Sequence, residues 1–344
     1  MKILAIETSC DETAAAVIED GRKVLSNVIA SQIDLHAKTG GVVPEVAARE
    51  HTVKMLPIME EALSEANCEW EDIEAIAVTE GPGLVSSLII GTQTANVVSF
   101  VKKKMLIPVH HIVGHLYSTW LGHDEEIKFP ILVLTVSGGH NELILIRDHY
   151  DFEILGETLD DAAGEAFDKV ARIIGLGYPG GPAISKMAVN GDSRRFQFPR
   201  IFLEKESFHF SFSGLKTAVL NEVMSFKGDI DEQFKADICA SFQEAVVEVM
   251  AEKVKRALNK FPEVAEVHLV GGVSANLRLR EKLQEVIPKD VIFRFPKAFS
   301  YCTDNAAMIG AAAYFLYKLQ PERFRAETNI IPTAAFEILS LKYL

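Results

Sequence analysis

The strongest constraint on the fold is that the chain makes one opening move twice. Lys2–Ile6 is a short apolar run, Thr8–Thr13 is polar, Ala14–Ile18 is apolar again, and Asp20-Gly21 turns the chain into Val24–Ile29. Short apolar runs separated by tight polar turns predict three consecutive antiparallel strands. The same order returns as Ile131–Val136, Ser137-Gly138-Gly139-His140, Leu143–Ile146, a turn near Asp148, and Phe152–Leu155. Ser9 aligns with Ser137, Ile18 with Ile146 and Asp20 with Asp148, all at one offset. A duplicated domain is the economical explanation. Beyond each meander the apolar spacing turns helical, as in Ala163, Phe167, Val170 and Ile174, or Ile238, Phe242, Val246, Val249 and Met250. The stripes at Val53–Leu63 and Ile89–Phe100 share that spacing and are read as core-facing rather than partner-facing.

Each first hairpin carries a small polar turn, Thr8-Ser9 or Ser137-Gly138-Gly139, whose backbone N–H groups can meet an anion with little side-chain obstruction. Two such turns facing across a cleft would clasp a nucleotide's phosphates; either alone is an ordinary hairpin turn. Asp11 and Glu12 follow the first turn and are weaker candidates for the same nucleotide site. A third element runs from Val267–Val270 into Gly271-Gly272-Val273-Ser274-Ala275-Asn276 and a helix start. A strand ending in paired glycines lets a base or ribose lie close to backbone. It is neither a P-loop, since no Gly-Lys-Ser/Thr follows, nor a Gly-x-Gly-x-x-Gly fingerprint. Duplicated sheets plus this element match the α/β actin, sugar-kinase and Hsp70-like ATPase (ASKHA) fold, with two lobes and a nucleotide cleft. The expected lobes are residues 1–125 plus 318–344, carrying the histidine pair discussed next, and residues 126–317, carrying the glycine turns.

His111 and His115 are four apart in His110-His111-Ile112-Val113-Gly114-His115, so on a helix both rings project from one face, a divalent-metal geometry. Two histidines cannot close a metal shell. Asp304, ahead of an alanine-rich helix, is a candidate third ligand, its plainer role being a helix N-cap. His, His and Asp together leave open positions for a substrate oxygen. A zinc protease would need Glu directly after the first histidine as general base; here that residue is Ile112, which takes no proton.

The 344 residues, 48% of them apolar, suit two domains better than one. The N-terminus turns acidic at Glu7 before a signal-peptide core forms, and no apolar run reaches the roughly 18 residues of a membrane helix. A cytoplasmic protein with no membrane partner is expected. Cys10, Cys68, Cys239 and Cys302 lie far apart without a Cys-x-x-Cys pair, which suits reduced thiols. A net charge of −13 matches poorly with unaided grip on a phosphate backbone, so a nucleic-acid partner calls for a local basic patch or helper proteins. Candidate patches are Lys102–Lys104, Arg194 with Arg195, and the basic residues between Lys253 and Lys260.

Specific motifs then resemble one family. Glu7-Thr8-Ser9-Cys10-Asp11-Glu12-Thr13, Gly40-Gly41-Val42-Val43-Pro44-Glu45, Ala48-Arg49-Glu50-His51, Gly81-Pro82-Gly83-Leu84 and Val136-Ser137-Gly138-Gly139-His140 are similar to the tRNA adenosine threonylcarbamoyltransferases, TsaD in bacteria. So, in order, are Glu165-Ala166-Phe167-Asp168-Lys169, Tyr178-Pro179-Gly180-Gly181-Pro182, Phe210-Ser211-Phe212-Ser213-Gly214-Leu215-Lys216-Thr217, the 271–276 segment and Thr303-Asp304-Asn305. The resemblance implies a divalent metal, Fe(2+) or Zn(2+), held by His111, His115 and Asp304. It implies threonylcarbamoyl-AMP, or ATP or AMP, contacted by Thr135, Val136, Ser137, Gly138, Gly139, Asp168, Gly181 and Asn276, with Thr8, Ser9, Asp11, Glu12, Gly271 and Gly272 as weaker nucleotide contacts. It also implies transfer of threonylcarbamoyl to N6 of the adenosine beside the anticodon, with tRNA, a TsaB-like paralogue and a TsaE-like ATPase as partners. The family shows His-x-Glu-Gly-His, whereas this chain has Val113 in the middle, removing a carboxylate from beside the metal. Two other readings compete: a small-molecule kinase or ATPase on the same fold, which leaves the His, His and Asp set idle, and a non-catalytic scaffold paralogue, which need not keep it.

Overall fold

A computed structural model describes residues 1–123, 125–204, 206–324 and 330–333. In chain order the elements used below are β1 (Lys2–Glu7), β2 (Glu12–Glu19), β3 (Lys23–Ser31), α1 (Ile33–Ala37), α2 (Pro44–Glu65), β4 (Ala75–Gly81), α3 (Val85–Lys102), β5 (Met105–His110) and α4 (His111–Tyr117). They continue as β6 (Ile131–Val136), β7 (Asn141–Asp148), β8 (Asp151–Glu157), α5 (Ala163–Ile173), α6 (Gly180–Ala188), α7 (Ser213–Ser225), α8 (Glu232–Lys260), β9 (Glu266–Val270), α9 (Leu277–Val286), β10 (Ile292–Arg294) and α10 (Ala306–Leu319). No helix among the described residues is long and apolar enough to cross a membrane.

The chain divides into two units: Met1–Ile127 with His149–Asp151 and Pro296–Leu344, and Lys128–Asp148 with Phe152–Phe295. Each holds a five-stranded mixed sheet, ordered β3-β2-β1-β4-β5 in the first and β8-β7-β6-β9-β10 in the second. The duplication extends to register. Ile3 faces Ile18 across β1 and β2, and Ile131 faces Ile146 across β6 and β7, the same partners one repeat later. β1 and β6 each run parallel to a second partner, β4 or β9. A central strand covered on both faces must be apolar along its whole length rather than alternating, and Ile3–Ile6 and Ile131–Leu134 are fully buried.

The boundary expected at residue 317 lies instead between Phe295 and Pro296, so α10 belongs to the first unit. The cause is its run of small residues. A Cβ on Gly310 would meet Ile18 at 2.7 Å and Ala5 at 3.3 Å, so the helix lies close against β1 and β2, a packing that a larger residue would obstruct. Of the expected 318–344 segment, residues 325–329 and 334–344 lie outside the described residues. The core of the first unit gathers Leu4, Ile6, Val17, Met55, Met59, Ile76, Val78 and Leu106. The stripe at 53–63 is divided: Met55, Ile58, Met59, Ala62 and Leu63 are buried, but Val53 and Leu56 are exposed, as are Val97, Phe100 and Val101 on α3. In the second unit, β6 and β7 pack on α5 and α8, with Phe167 edge-on to Phe242 at 5.1 Å.

The basic run Lys253–Lys260 is not a uniform solvated face. Lys253 is fully buried, and its Nζ donates to the carbonyls of Phe202 and Ser207 at 2.6 Å each, clamping that loop to α8. A side chain so engaged is withdrawn from any phosphate.

One buried charge cluster in the second unit yields a stability prediction. Glu266 accepts from His268 Nε2 at 3.0 Å, Arg294 Nε at 2.5 Å and the Lys128 backbone N–H at 2.9 Å. Burial pushes its carboxyl up, but these donors outweigh burial and hold it down at about 2, from an ordinary 4.5. A depressed carboxylate stabilises fully above its unfolded value and loses that contribution as pH falls through its folded value. Stability worth about 3 kcal/mol is therefore expected to disappear between pH 4.5 and 2. Urea midpoints at pH 7, 4 and 3 should show this acid limb in the native chain and a flattened one in Glu266→Gln; an unchanged limb contradicts the assignment.

Candidate functional site

β5 ends at His110 and α4 begins at His111, a seven-residue helix buried along its whole length. One turn apart, the rings of His111 and His115 meet edge to face with centroids 4.8 Å apart. Asp304 reaches them from the start of α10. It is not the cap of that helix: Asn305 fills the role, its Oδ1 accepting from Met308 N at 3.1 Å, which leaves Asp304 for other work. Asp304 Oδ1 stands 3.0 Å from His115 Nε2 and 3.6 Å from His111 Nε2.

These residues fit a metal ion. One donor atom from each lies within 4.8 Å of the other two, the only such group among the described residues. Ligands bonded at about 2.1 Å stand roughly 3.0 to 3.4 Å apart around an octahedral or tetrahedral ion, close to the two Asp304 separations. Two imidazoles and one carboxylate on one side also leave coordination positions open.

The carboxylate beside the histidines comes from an unexpected direction. Val113 is fully buried and aliphatic, but Glu7, fully buried at the end of β1, sets Oε2 3.4 Å from His111 Nδ1. Thr79 also donates to Oε2, and Ser9 N donates to Oε1 at 2.6 Å. Ser9 Oγ is 3.2 Å from the same His111 nitrogen. A carboxylate on the far nitrogen orients an imidazole and raises its basicity. Burial opposes charge on His111, yet Asp304 and Glu7 together raise it to about 9. His115 Nδ1 is buried without a hydrogen-bond partner. Glu12 is held well above the ordinary carboxylate range by burial, Asp304 and Asp11. Negative charge gathered at one point favours a cation.

The first glycine-poor turn therefore differs from the expectation of a phosphate clasp. Thr8 and Ser9 are buried, Ser9 N is taken by Glu7, and Thr8 Oγ1 donates to Ser87 O at 3.0 Å. Asp11 and Glu12 add acid where a phosphate would need donors. The turn supports the histidines instead.

In the second unit, the corresponding turn is open. Ser137 N donates to His140 O at 2.8 Å and His140 N to Ser137 Oγ at 3.1 Å, closing the hairpin. Gly138 and Gly139 project from it, and a Cβ on either meets nothing within 4 Å. Thr135 Oγ1 is buried without a partner, and Val136 is fully buried. Neighbouring glycines bring backbones together. At φ +87°, Gly271 lies so near the Val136 carbonyl that a Cβ would come within 2.5 Å of it, and one on Gly164 would come equally near Ser137 O. Asp168 on α5 accepts from Gly180 N at 2.7 Å, fixing the start of α6, while Gly181 and Gly272 face open space. Burial raises the Asp168 carboxyl, against the Gly180 N–H. Asn276 caps α9, its Oδ1 accepting from Leu279 N at 3.0 Å, and its Nδ2 donates to Ser185 Oγ at 3.0 Å and Gln243 Oε1 at 2.8 Å.

The structure thus brings His111, His115 and Asp304 together, and separately gathers open glycines with Asp168 and Asn276. The sequence reading missed Glu7 as the partner of His111, although a carboxylate closing an otherwise apolar strand was a signal. It also missed Ser185, one helical turn beyond Gly181, and Gln243, for which no local pattern existed.

A family model described as tRNA N6-adenosine threonylcarbamoyltransferase matches residues 23–311. Proteins bearing that name are similar over most of their length: one from Halalkalibacterium halodurans is 52% identical over 318 residues, covering 92% of each chain. One from Clostridium novyi is 50% identical over 336 residues, covering 96% of this chain and 97% of its own. Among solved structures, T. kodakarensis HypF superposes with a TM-score of 0.62 at 16% identity, over 94% of this chain and 48% of that one. Component A of the Acidaminococcus fermentans (R)-2-hydroxyglutaryl-CoA dehydratase gives 0.53 at 16%, over 91% and 98%. These two likenesses speak for the fold alone.

Proposed function

The chain belongs to the tRNA N6-adenosine threonylcarbamoyltransferase family, and from that premise we propose how its own residues divide the work. It is an acyltransferase acting on tRNA: the threonylcarbamoyl group passes from its adenylate to N6 of the adenosine beside the anticodon. The N6–carbon bond forms, the bond from that carbon to the adenylate phosphate oxygen breaks, AMP leaves, and an N6 proton goes to water. The adenosine lies in a single-stranded loop, where a base can be splayed out without breaking a duplex.

His111, His115 and Asp304 would hold a divalent ion through Nε2, Nε2 and Oδ1, and this convergence is the observation that carries the reading. Such an ion supplies Lewis-acid polarisation of a bound oxygen and a fixed positive charge. We favour iron(II) over zinc, because two histidines and one carboxylate with open positions are a ligand set typical of non-haem iron. Glu7 and Ser9 hold the His111 ring so that Nε2 points at Asp304. Thr135, Val136, Ser137, Gly138, Gly139, Asp168, Gly181 and Asn276 would bind the adenylate. The open space over Gly138, Gly139, Gly181 and Gly272 supports this, since backbone N–H groups there can approach a phosphate without side chains intervening. No side chain is assigned as a nucleophile, so transfer is direct.

A TsaB-like paralogue and a TsaE-like ATPase are the proposed helpers. The net charge of −13 argues against unaided tRNA grip. α2 and α3 leave Val53, Leu56, Val97, Phe100 and Val101 exposed, apolar surface of a kind that protein partners cover. The test is nucleoside analysis of tRNA after incubation with threonylcarbamoyl-AMP and the metal-loaded chain, with and without those helpers. Modified adenosine is expected with helpers present, and its absence under both conditions would overturn the proposal.

A further inference from the structure

The hydrogen bonds of the second unit single out a residue outside every motif so far used. Gln243, in the middle of α8, is only 8% exposed. Its Oε1 accepts from Ser185 Oγ at 2.9 Å and from Asn276 Nδ2 at 2.8 Å, while Asn276 Nδ2 also donates to Ser185 Oγ at 3.0 Å. Three residues from α6, α8 and the start of α9 thus close a triangle.

The atom assignments follow from the partners. The Leu279 backbone N–H is only a donor, so the Asn276 atom facing it at 3.0 Å is the carbonyl oxygen. The Asn276 NH2 must then point at Ser185 and Gln243, and Gln243 must meet it with oxygen. Both Asn276 N–H bonds are engaged within the protein, and the valence left for a ligand is a lone pair on Oδ1. The arrangement is braced one residue further along α8, where Glu244 takes a two-pronged ion pair from Arg278, at 2.7 Å to Nε and 2.9 Å to Nη2. A forked pair of this kind fixes relative orientation as well as distance. On the other side, Ser185 sits on the same face of α6 as Gly181, one turn on.

We propose that Gln243 is a positioning residue of the adenylate site: by drawing one Asn276 amide hydrogen and the Ser185 hydroxyl to its own oxygen, and so aiming the Ser185 oxygen at the other amide hydrogen, it presents Asn276 Oδ1 to the ligand as an acceptor. The proposal deepens the adenylate-site reading and rests on Asn276 being part of it. The matching ligand group is a donor, such as an exocyclic amine or a ribose hydroxyl.

AMP is the probe, titrated calorimetrically into the full chain, together with kcat and KM for threonylcarbamoyl-AMP in the helper-supplemented assay. Gln243→Leu removes the acceptor and is expected to weaken AMP binding and raise KM about tenfold, the scale of one displaced hydrogen bond, with kcat and metal content unchanged. Gln243→Glu keeps an acceptor oxygen in place and should stay within about threefold of the native chain, a smaller loss than one hydrogen bond. Equal losses in both variants, or a loss of about tenfold in the Glu variant by itself should the Leu variant fail to fold, would mean that packing, not the acceptor, matters, and would overturn the proposal. Native affinity in Gln243→Leu, with weakened binding in Asn276→Ala, would overturn the positioning role alone. Native affinity in Asn276→Ala would remove the adenylate reading of that residue, and the proposal with it.

Discussion

His115→Ala is expected to reduce bound divalent metal to background and threonylcarbamoyl transfer by about a thousandfold or more, while AMP affinity stays within about twofold of native. The metal loss follows from geometry: His115 Nε2 is the donor nearest Asp304, at 3.0 Å, and the two ligands left cannot enclose an ion. The rate follows from magnitude, since an ion polarising a reacting oxygen contributes several kcal/mol and each 1.36 kcal/mol is about a factor of ten. AMP affinity should hold because the open glycine turns, Asp168 and Asn276 belong to the second unit, whereas His115 belongs to the first. Asp304→Ala should repeat the pattern, with a further diagnostic. Because Asn305 caps α10, losing Asp304 should not carry the roughly 1 kcal/mol cost of a missing cap when both proteins are melted in chelator. Metal analysis, tRNA nucleoside analysis and AMP titration on the same preparations decide the matter. Retained transfer in either variant would remove the metal from the account.

What could be read from the chain beforehand follows from which interactions are local. The meander of β1 to β3 and its echo in β6 to β8 were legible because strand length, turn chemistry and apolar runs are properties of neighbouring residues, and pairing Ile3 with Ile18 needs only one tight turn. The histidine pair was legible for the same reason, one helical turn being a fixed spacing. Asp304 was a candidate third ligand that the family resemblance strengthened, but its approach to α4 depends on α10 packing against the first sheet, which is a long-range event. The domain boundary was misjudged on that same helix. Burial also decides what local pattern cannot: Lys253 looks like a surface charge in the run to Lys260 and is instead a buried clamp. Thr8-Ser9 reads as the twin of Ser137-Gly138-Gly139, yet Glu7, where the second repeat has Thr135, takes the Ser9 N–H and turns the first copy toward the histidines. The duplicated folds have parted in chemistry through one residue near the end of the central strand, Glu7 in the first copy and Thr135 in the second.

The same packing gives the second large effect, at a residue that touches no ligand. Gly114 lies between the two histidines on α4 and faces α10: a Cβ there would meet Ile309 Cδ1 at 2.7 Å and Met308 Cγ at 3.3 Å. Both atoms belong to side chains, which can give a little, so Gly114→Ala is expected to be mild. The alanine gains about 1 kcal/mol of helix propensity, offset by slight crowding. Gly114→Leu brings three further carbons into a fully buried seam, where Ile309 and Met308 have no exposed surface to retreat into. Overpacking of this kind typically costs 1 to 3 kcal/mol, and its cheapest relief is to move α4 off α10. That movement would carry His111 and His115 away from Asp304, which is anchored to α10 through the neighbouring cap Asn305. Metal binding requires donor atoms placed within a few tenths of an ångström. The leucine variant should therefore lose metal affinity by at least about a hundredfold, and transfer with it, while AMP binding by the second unit persists. A graded series, Ala near native and Leu metal-free, would show that the close seam between α4 and α10 sets the geometry of the centre. Full metal occupancy in a folded Gly114→Leu would show that the three ligands find each other without it.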